Sequence, residues 1–291
     1  MEWLQSVLGE TGISVISFFS MFGEELFMIV VMGFIYWSLN KKAGETVAAA
    51  IVANTVWFPM IKNVALRRRP YFDNPGIKCF RPVDADADIY DIAKQGYSFP
   101  SGHSASSAAV YGSIAKFFKK NWLTAAALTV TFLVGISRFC VGVHYPTDVL
   151  AGWALGTIIV FLVPVMEKKL KSKAAMYGLL LLVTLPGIFY CRTTDYFTGL
   201  GMMIGFFSGI LFENKYVNFE NTRRPLSMIL RVAGGIAIYL CLSVLLKLPF
   251  SAEFLETESA ACFAVRVARY AIISFIEVGI YPILFRTKVL K

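Results

Sequence analysis

Residues able to do phosphate chemistry fall into three short blocks of this chain. The first is Lys62, six residues, then Arg69-Pro70. The second is Pro100-Ser101-Gly102-His103, and the third is Ser137-Arg138, five residues, His144, three residues, Asp148. Both histidines of the protein belong to these blocks. Lys62, Arg69 and Arg138 supply three cations; an arginine fork matches phosphate oxygens, and lysine acts as a point charge. Pro100 to His103 reads as a helix start, so its backbone N–H groups point at an anion and the helix dipole favours negative charge. Gly102 admits a close backbone approach. Pro146 suits the first position of the next helix. Asp148 lies four residues after His144, within reach of one ring nitrogen, leaving the other as a nucleophile. His103, from a different segment, can protonate a leaving oxygen. Together these groups describe a phosphoryl-transfer site in which cations and N–H dipoles take the place of a metal ion.

The elements that must carry them are membrane helices. Of 291 residues 57% are hydrophobic and 16% charged, whereas a soluble domain averages about 25% charged. A bilayer core about 30 Å thick needs roughly 20 mainly apolar residues per helix. Stretches that reach this length with their flanks run over 26–40, 46–61, 104–118, 121–137, 149–166, 174–191, 196–212, 232–246 and 261–285. The sequence thus predicts an all-α, polytopic bundle of about nine spans. Residues 1–20 read as a short interfacial helix, with a tenth, shallow span as the alternative. No basic n-region precedes Lys41, so no signal peptide is expected.

Charge then orients the bundle. Alternate loops hold 15 basic residues against four acids on one side, and 12 against 14 on the other. The positive-inside rule makes the basic side cytoplasmic. The N-terminus and all three blocks are then expected outside, and the C-terminus inside. The formal net charge of +9 is therefore a topology signal, and nucleic-acid binding, which needs a basic face on a soluble module, is not expected. Five cysteines, with no paired spacing, exclude a disulfide framework or a Cys-rich metal module. Each span end brings its block to the same membrane level, so the blocks can converge.

A single histidine or arginine at a membrane edge is usually an anchor. The joint pattern, eleven specified residues in order on one face, is what decides. It resembles, residue for residue, the signature of the type-2 phosphatidic acid phosphatase superfamily, over about Lys62 to Asp148. That superfamily includes lipid phosphatases, undecaprenyl diphosphate phosphatases, glucose-6-phosphatase and vanadium haloperoxidases. The resemblance implies that His144 is a nucleophile forming a phosphohistidine, that Asp148 orients it and that His103 is the general acid. It also implies that Lys62, Arg69, Ser101, Gly102 and Arg138 hold the phosphate, and that neither metal nor cofactor is required. On this reading residues 1–170 form a phosphatase core and 171–291 add four further spans. Those spans could widen a lipid-accessible cavity, mediate homo-oligomers or serve transport.

The expected function is an integral membrane phosphatase, in a bacterial plasma membrane, that hydrolyses a phosphate monoester or diphosphate on the extracytoplasmic face. A lipid phosphate is the expected substrate, because a site at span ends is open to headgroups; no residue separates phosphatidic acid, phosphatidylglycerol phosphate and undecaprenyl diphosphate. The alternative is a lipid transporter, scramblase or lipid-binding protein that uses the site as an anion pocket, although binding alone needs no nucleophile.

Several other residues carry expectations. Arg67 and Arg68 read as interfacial anchors. Asp84, Asp86, Asp88 and Asp91 form an acidic loop near the site; Ile89 and Gln95 stand where an EF-hand needs Gly and Glu, which rules that motif out. Glu277 and Arg231 are expected to pair within the membrane. Arg266 and Arg269 suit either a lipid phosphate or snorkelling to the interface. Gly201, Gly205 and Gly209 form a stripe for close helix packing.

Overall fold

The computed structural model describes residues 1–287 and 289–291; Lys288, counted above among the basic residues, lies outside them. In chain order the helices are α1 (Glu2–Phe18), α2 (Glu25–Phe34), α3 (Lys41–Ala65), α4 (Pro70–Asp73), α5 (Ile92–Gln95), α6 (Gly102–Phe118) and α7 (Asn121–Cys140). They continue as α8 (Pro146–Leu170), α9 (Lys173–Thr184), α10 (Gly187–Tyr190), α11 (Thr194–Phe212), α12 (Pro225–Leu245), α13 (Ala252–Glu256) and α14 (Ala260–Phe275). No strand occurs among the described residues, and every expected span is helical. Eight helical segments are long and apolar enough to cross a membrane. Seven of them are expected spans; the eighth is the N-terminal segment Glu2–Gly23. The remaining two expected spans are shorter, Glu25–Leu39 and the 17-residue α6.

The chain divides into two compact units, Met1–Met28 with Trp57–Leu162, and Ile29–Val56 with Val163–Lys291. The first contains all three blocks. Ser101 caps α6, and at its other end Lys119 adopts the left-handed conformation that ends a helix. Helices α6 and α8 approach backbone to backbone because α8 presents Gly152 and Gly156. A Cβ on Gly152 would stand 2.6 Å from the Ser101 carbonyl oxygen.

Helix α1 stays beside the block-bearing ends of its neighbours. The Gln5 amide donates to the Lys78 and Cys140 carbonyls, Ile13 packs with Tyr71, Val141 and Val143, and Ser20 reaches Ser137. Further along the segment, Gly23 lies against Val134 of α7 and the Phe22 carbonyl accepts from the Tyr111 hydroxyl of α6.

In the second unit, α11 lies directly on α14. Gly201 faces the Val267 carbonyl and Gly205 the backbone of Ala271, so the small-residue stripe sets the helix separation as expected. Lys41 pairs with the buried Glu213 at 2.6 Å, and Lys173 pairs with Glu45. The expected Arg231–Glu277 pair does not form. Arg231 donates to the carbonyls of Trp37, Glu220 and Leu290, and Glu277 is buried without a hydrogen-bond partner at Oε1 among the described residues. Three carbonyls satisfy a guanidinium as fully as a carboxylate would.

Candidate active site

Backbone and side-chain hydrogen bonds join the three blocks within the first unit. Arg69 precedes the Pro70 that opens α4. Its Nε donates to the carbonyls of Gln95 and Gly96, at 2.8 and 3.1 Å, and its Nη1 to that of Val143 at 3.1 Å. Its guanidinium therefore links the first block to the loop before the second and to the residue before His144. The Ser101 N–H donates to the Asp148 carbonyl at 3.0 Å, which ties the second block to the third. Lys62 occupies the last turn of α3, buried, with Nζ 5.4 Å from the Phe58 ring centre.

The start of α6 is a ready anion cradle. Ser101 Oγ accepts from the Ser104 N–H at 3.4 Å and from the Ser104 hydroxyl at 2.9 Å. With its lone pairs engaged, the Ser101 hydroxyl keeps its own proton to donate. The N–H groups of Gly102 and His103 belong to the first helical turn, where no carbonyl within the helix can take them.

Arg138 ends α7 and is buried. Its Nη1 donates to Ser20 Oγ at 2.9 Å, while Nε is buried with no hydrogen-bond partner among the described residues. A buried guanidinium with an unsatisfied N–H calls for a further acceptor, and a phosphate oxygen is the acceptor whose geometry it matches.

His144 sits in the turn between α7 and α8, 2% exposed. Its Nδ1 lies 3.6 Å from Asp148 Oδ2, just beyond hydrogen-bond contact; such bonds commonly tighten only when substrate is bound. Burial holds the imidazole well below its ordinary pKa of 6.5, and the charges of Arg69, Arg138, Lys62 and His103 push the same way. The ring is therefore a neutral base. Because Nδ1 faces Asp148, Nε2 is the nitrogen left to attack.

Asp148 is the third residue of α8 and fully buried. Its Oδ2 accepts from the Tyr145 N–H at 2.8 Å, a capping contact in which a carboxylate in the first turn reaches back to the residue before the helix. Oδ1 accepts from Arg67 Nη1 at 2.8 Å. Arg67, expected to be an anchor, is thus turned inward; Arg68 is exposed and only 3.9 Å from the equally exposed Asp73, as an anchor should be. Sequence reasoning also missed Ser20, Ser98 and Gln95. The buried Gln95 takes the N–H of Val83 and donates to the Asp84 carbonyl. The acidic loop spends its carboxylates on its own turns: Asp84, Asp88 and Asp91 each accept from the N–H two residues on.

A neutral histidine facing a carboxylate, set among cations and helix N–H groups, is an arrangement able to bind an anion and attack it. Residues 41–172 match the PAP2 superfamily, and residues 197–290 match the transmembrane extension of PAP2 superfamily phosphatases. The chain belongs to the PAP2 superfamily. It is 41% identical over 91 residues to phosphatidylglycerophosphatase B of Bacillus subtilis, covering 28% of this chain and 44% of that one. It is 33% identical over 149 residues to an undecaprenyl-diphosphatase of Sulfolobus acidocaldarius, covering 50% of this chain and 66% of that one. A lipid A 1-phosphatase of Rhizobium etli is 31% identical over 114 residues, covering 39% and 45%. The matched stretch thus spans less than two thirds of each of these relatives. The crystal structure of a PAP2-type phosphatidylglycerolphosphate phosphatase from Bacillus subtilis aligns with a TM-score of 0.45 at 26% identity, over 58% of this chain and 84% of that one.

Proposed function

We propose that this protein is a membrane phosphatase that hydrolyses a lipid phosphate monoester or diphosphate through a phosphohistidine. The observation that carries the reading is His144, neutral and facing Asp148, beside the unsatisfied Nε of the buried Arg138. Arg69, Arg138, Lys62, the Ser101 hydroxyl and the first N–H groups of α6 hold the phosphate and stabilise charge on its oxygens as the transition state forms. In the free protein burial, and then the charges of Arg138 and Lys62, hold the His103 imidazole well below its ordinary pKa; the negative charge of a bound phosphate offsets those cations and lets His103 take up a proton. His144 Nε2 forms the bond to phosphorus while the bond to the leaving oxygen breaks, and the protonated His103 gives that oxygen its proton. His103 then takes a proton from water, which attacks the phosphohistidine and releases inorganic phosphate.

Residues 1–170 carry this chemistry and residues 171–291 add helices to it. The charge asymmetry of the loops supports an extracytoplasmic site with the N-terminus outside and the C-terminus inside. The names of the relatives support phosphatidylglycerol phosphate, undecaprenyl diphosphate or another phosphorylated lipid as substrate. The test is phosphate release by the purified full chain, in detergent with EDTA, from phosphatidylglycerol phosphate, phosphatidic acid and undecaprenyl diphosphate. Release abolished by His144→Ala supports the reading. Equal release by that variant, or none by the unaltered protein, overturns it in favour of an anion-binding or transport role.

A further inference from the structure

We infer that Arg67 is a positioning residue of this site, acting through Asp148 and not on the phosphate. The inference rests on the reading just proposed.

Arg67 contributes both backbone and side chain to the junction of the three blocks. Its carbonyl accepts from the Ser98 N–H at 2.8 Å, and the Ser98 hydroxyl donates to the Arg68 carbonyl at 2.9 Å. The strand of chain leading into Pro100 is thereby strapped to the segment leading into Arg69. The Arg67 side chain crosses to the start of α8. Nη1 donates to Asp148 Oδ1 at 2.8 Å and to Thr147 Oγ1 at 2.7 Å, and the guanidinium lies 3.9 Å from the centre of the Tyr145 ring. Stacking and two hydrogen bonds from one nitrogen leave the group little freedom.

The carboxylate so held is completely buried, whereas the Arg67 side chain is 38% exposed. A charge with no access to water needs a compensating partner. His144 cannot be that partner, since burial and its neighbouring cations keep it neutral. Arg67 is a cation in direct contact with Asp148, and it takes the oxygen that His144 does not face. Oδ2 accepts from the Tyr145 N–H and faces His144. A carboxylate clamped on its outer oxygen cannot rotate away from the imidazole, and this fixes which ring nitrogen is presented to phosphorus. Arg69 and Arg138 are used differently: Arg69 donates to the carbonyls of Gln95, Gly96 and Val143, and Arg138 to the Ser20 hydroxyl.

The experiment uses the full chain, the most active lipid phosphate found above, and four proteins: unaltered, Arg67→Gln, Asp148→Asn and both together, with Arg67→Lys beside them. Losing a charged hydrogen bond of this kind costs about 1.5–3 kcal/mol, or about 10- to 150-fold in kcat. Arg67→Gln should show that loss in kcat with KM changed by less than about threefold, and Arg67→Lys should recover most of it. In the Asp148→Asn background the same substitution should cost almost nothing. Additive losses, or a raised KM at unchanged kcat, would make Arg67 a phosphate or headgroup contact and overturn the inference while leaving the phosphatase reading intact. The melting temperatures of the four proteins give a readout without turnover: they should be non-additive in the same sense, and strictly additive melting shifts also overturn it. Hydrolysis that survives His144→Ala removes both readings together.

Discussion

Arg138 Nη1 donates to the Ser20 hydroxyl at 2.9 Å, and Ser20 in turn lies 2.7 Å from the Ser137 hydroxyl. A residue from the N-terminal segment thus sets the direction of the Arg138 guanidinium, although the superfamily match begins only at residue 41. A neutral hydrogen bond is worth about 1 kcal/mol and one to a charged group up to about 3. Ser20→Ala should therefore raise KM by about five- to tenfold with a smaller change in kcat, because Arg138 loses direction but keeps its charge. Steady-state kinetics on a short-chain lipid phosphate read this directly. An unchanged KM would mean that the Ser20 hydroxyl does not set the direction of the arginine.

Asp148 and His144 should separate by chemistry. Replacing Asp148 with Asn keeps its size and one acceptor oxygen but offers an NH2 group, which can stabilise the wrong imidazole tautomer. In a comparable histidine–carboxylate pair that exchange costs about 10^4 in kcat. Here Asp148→Asn should lower kcat by two to four orders of magnitude, on the order of that precedent, without abolishing phosphate binding. His144→Ala should abolish turnover and any acid-labile phosphoenzyme. A radiolabelled phosphoenzyme that persists in His144→Ala would assign the nucleophile elsewhere.

Local spacing made most of the fold and the core of the site readable. Seven of the nine expected spans recur among the described residues as helices long and apolar enough to cross a membrane, and the three blocks, residue types at fixed intervals near span ends, are joined by hydrogen bonds within one unit. Invisible were the partners that lie far off in sequence. Arg67 is 81 residues from Asp148 and Ser20 is 118 from Arg138, and no periodicity links such positions. The Arg231–Glu277 expectation failed for another reason. Helix depth can be counted along a sequence, but the rotation of a helix and the carbonyls freed where chain segments turn cannot, and carbonyls are what Arg231 found.

The pH profile should carry the mark of His144. In the free enzyme burial and then the nearby cations hold its pKa well below 6.5. Protonation removes the nucleophile, and kcat/KM reports the free enzyme, so the acid limb of kcat/KM should fall below pH 6.5. Arg69 is the largest of the charges that lower it. Arg69→Gln removes one lowering influence, so the limb should move up towards 6.5 while the maximum drops through weaker phosphate binding. Burial remains and keeps the limb from passing that value. A limb that moves down in Arg69→Gln would contradict the assignment of the acid limb to His144.

Gly152 tests whether helix packing sets the position of the site. It lies on α8 one turn beyond Asp148, and an added Cβ would stand 2.6 Å from the Ser101 carbonyl oxygen, 3.0 Å from Ser104 Cβ and 3.1 Å from the Ala105 nitrogen. Two of these are backbone atoms of the first turn of α6, which cannot swing aside as a side-chain tip would. Gly152→Ala must therefore push the Ser101 turn away from Asp148, stretching the 3.0 Å bond between the Ser101 N–H and the Asp148 carbonyl. Overpacking of this kind costs about 1–3 kcal/mol, so the melting temperature should drop. A displacement near 1 Å at the anion cradle can cost about 100-fold in rate, and kcat/KM should fall further than the stability loss alone explains. Gly178, around which an added Cβ meets nothing within 4 Å, supplies the control. Gly178→Ala adds the same methyl to a helix and should leave kcat/KM unchanged. Equal effects from the two substitutions would show that α6 and α8 adjust freely and that their close approach does not position the cradle.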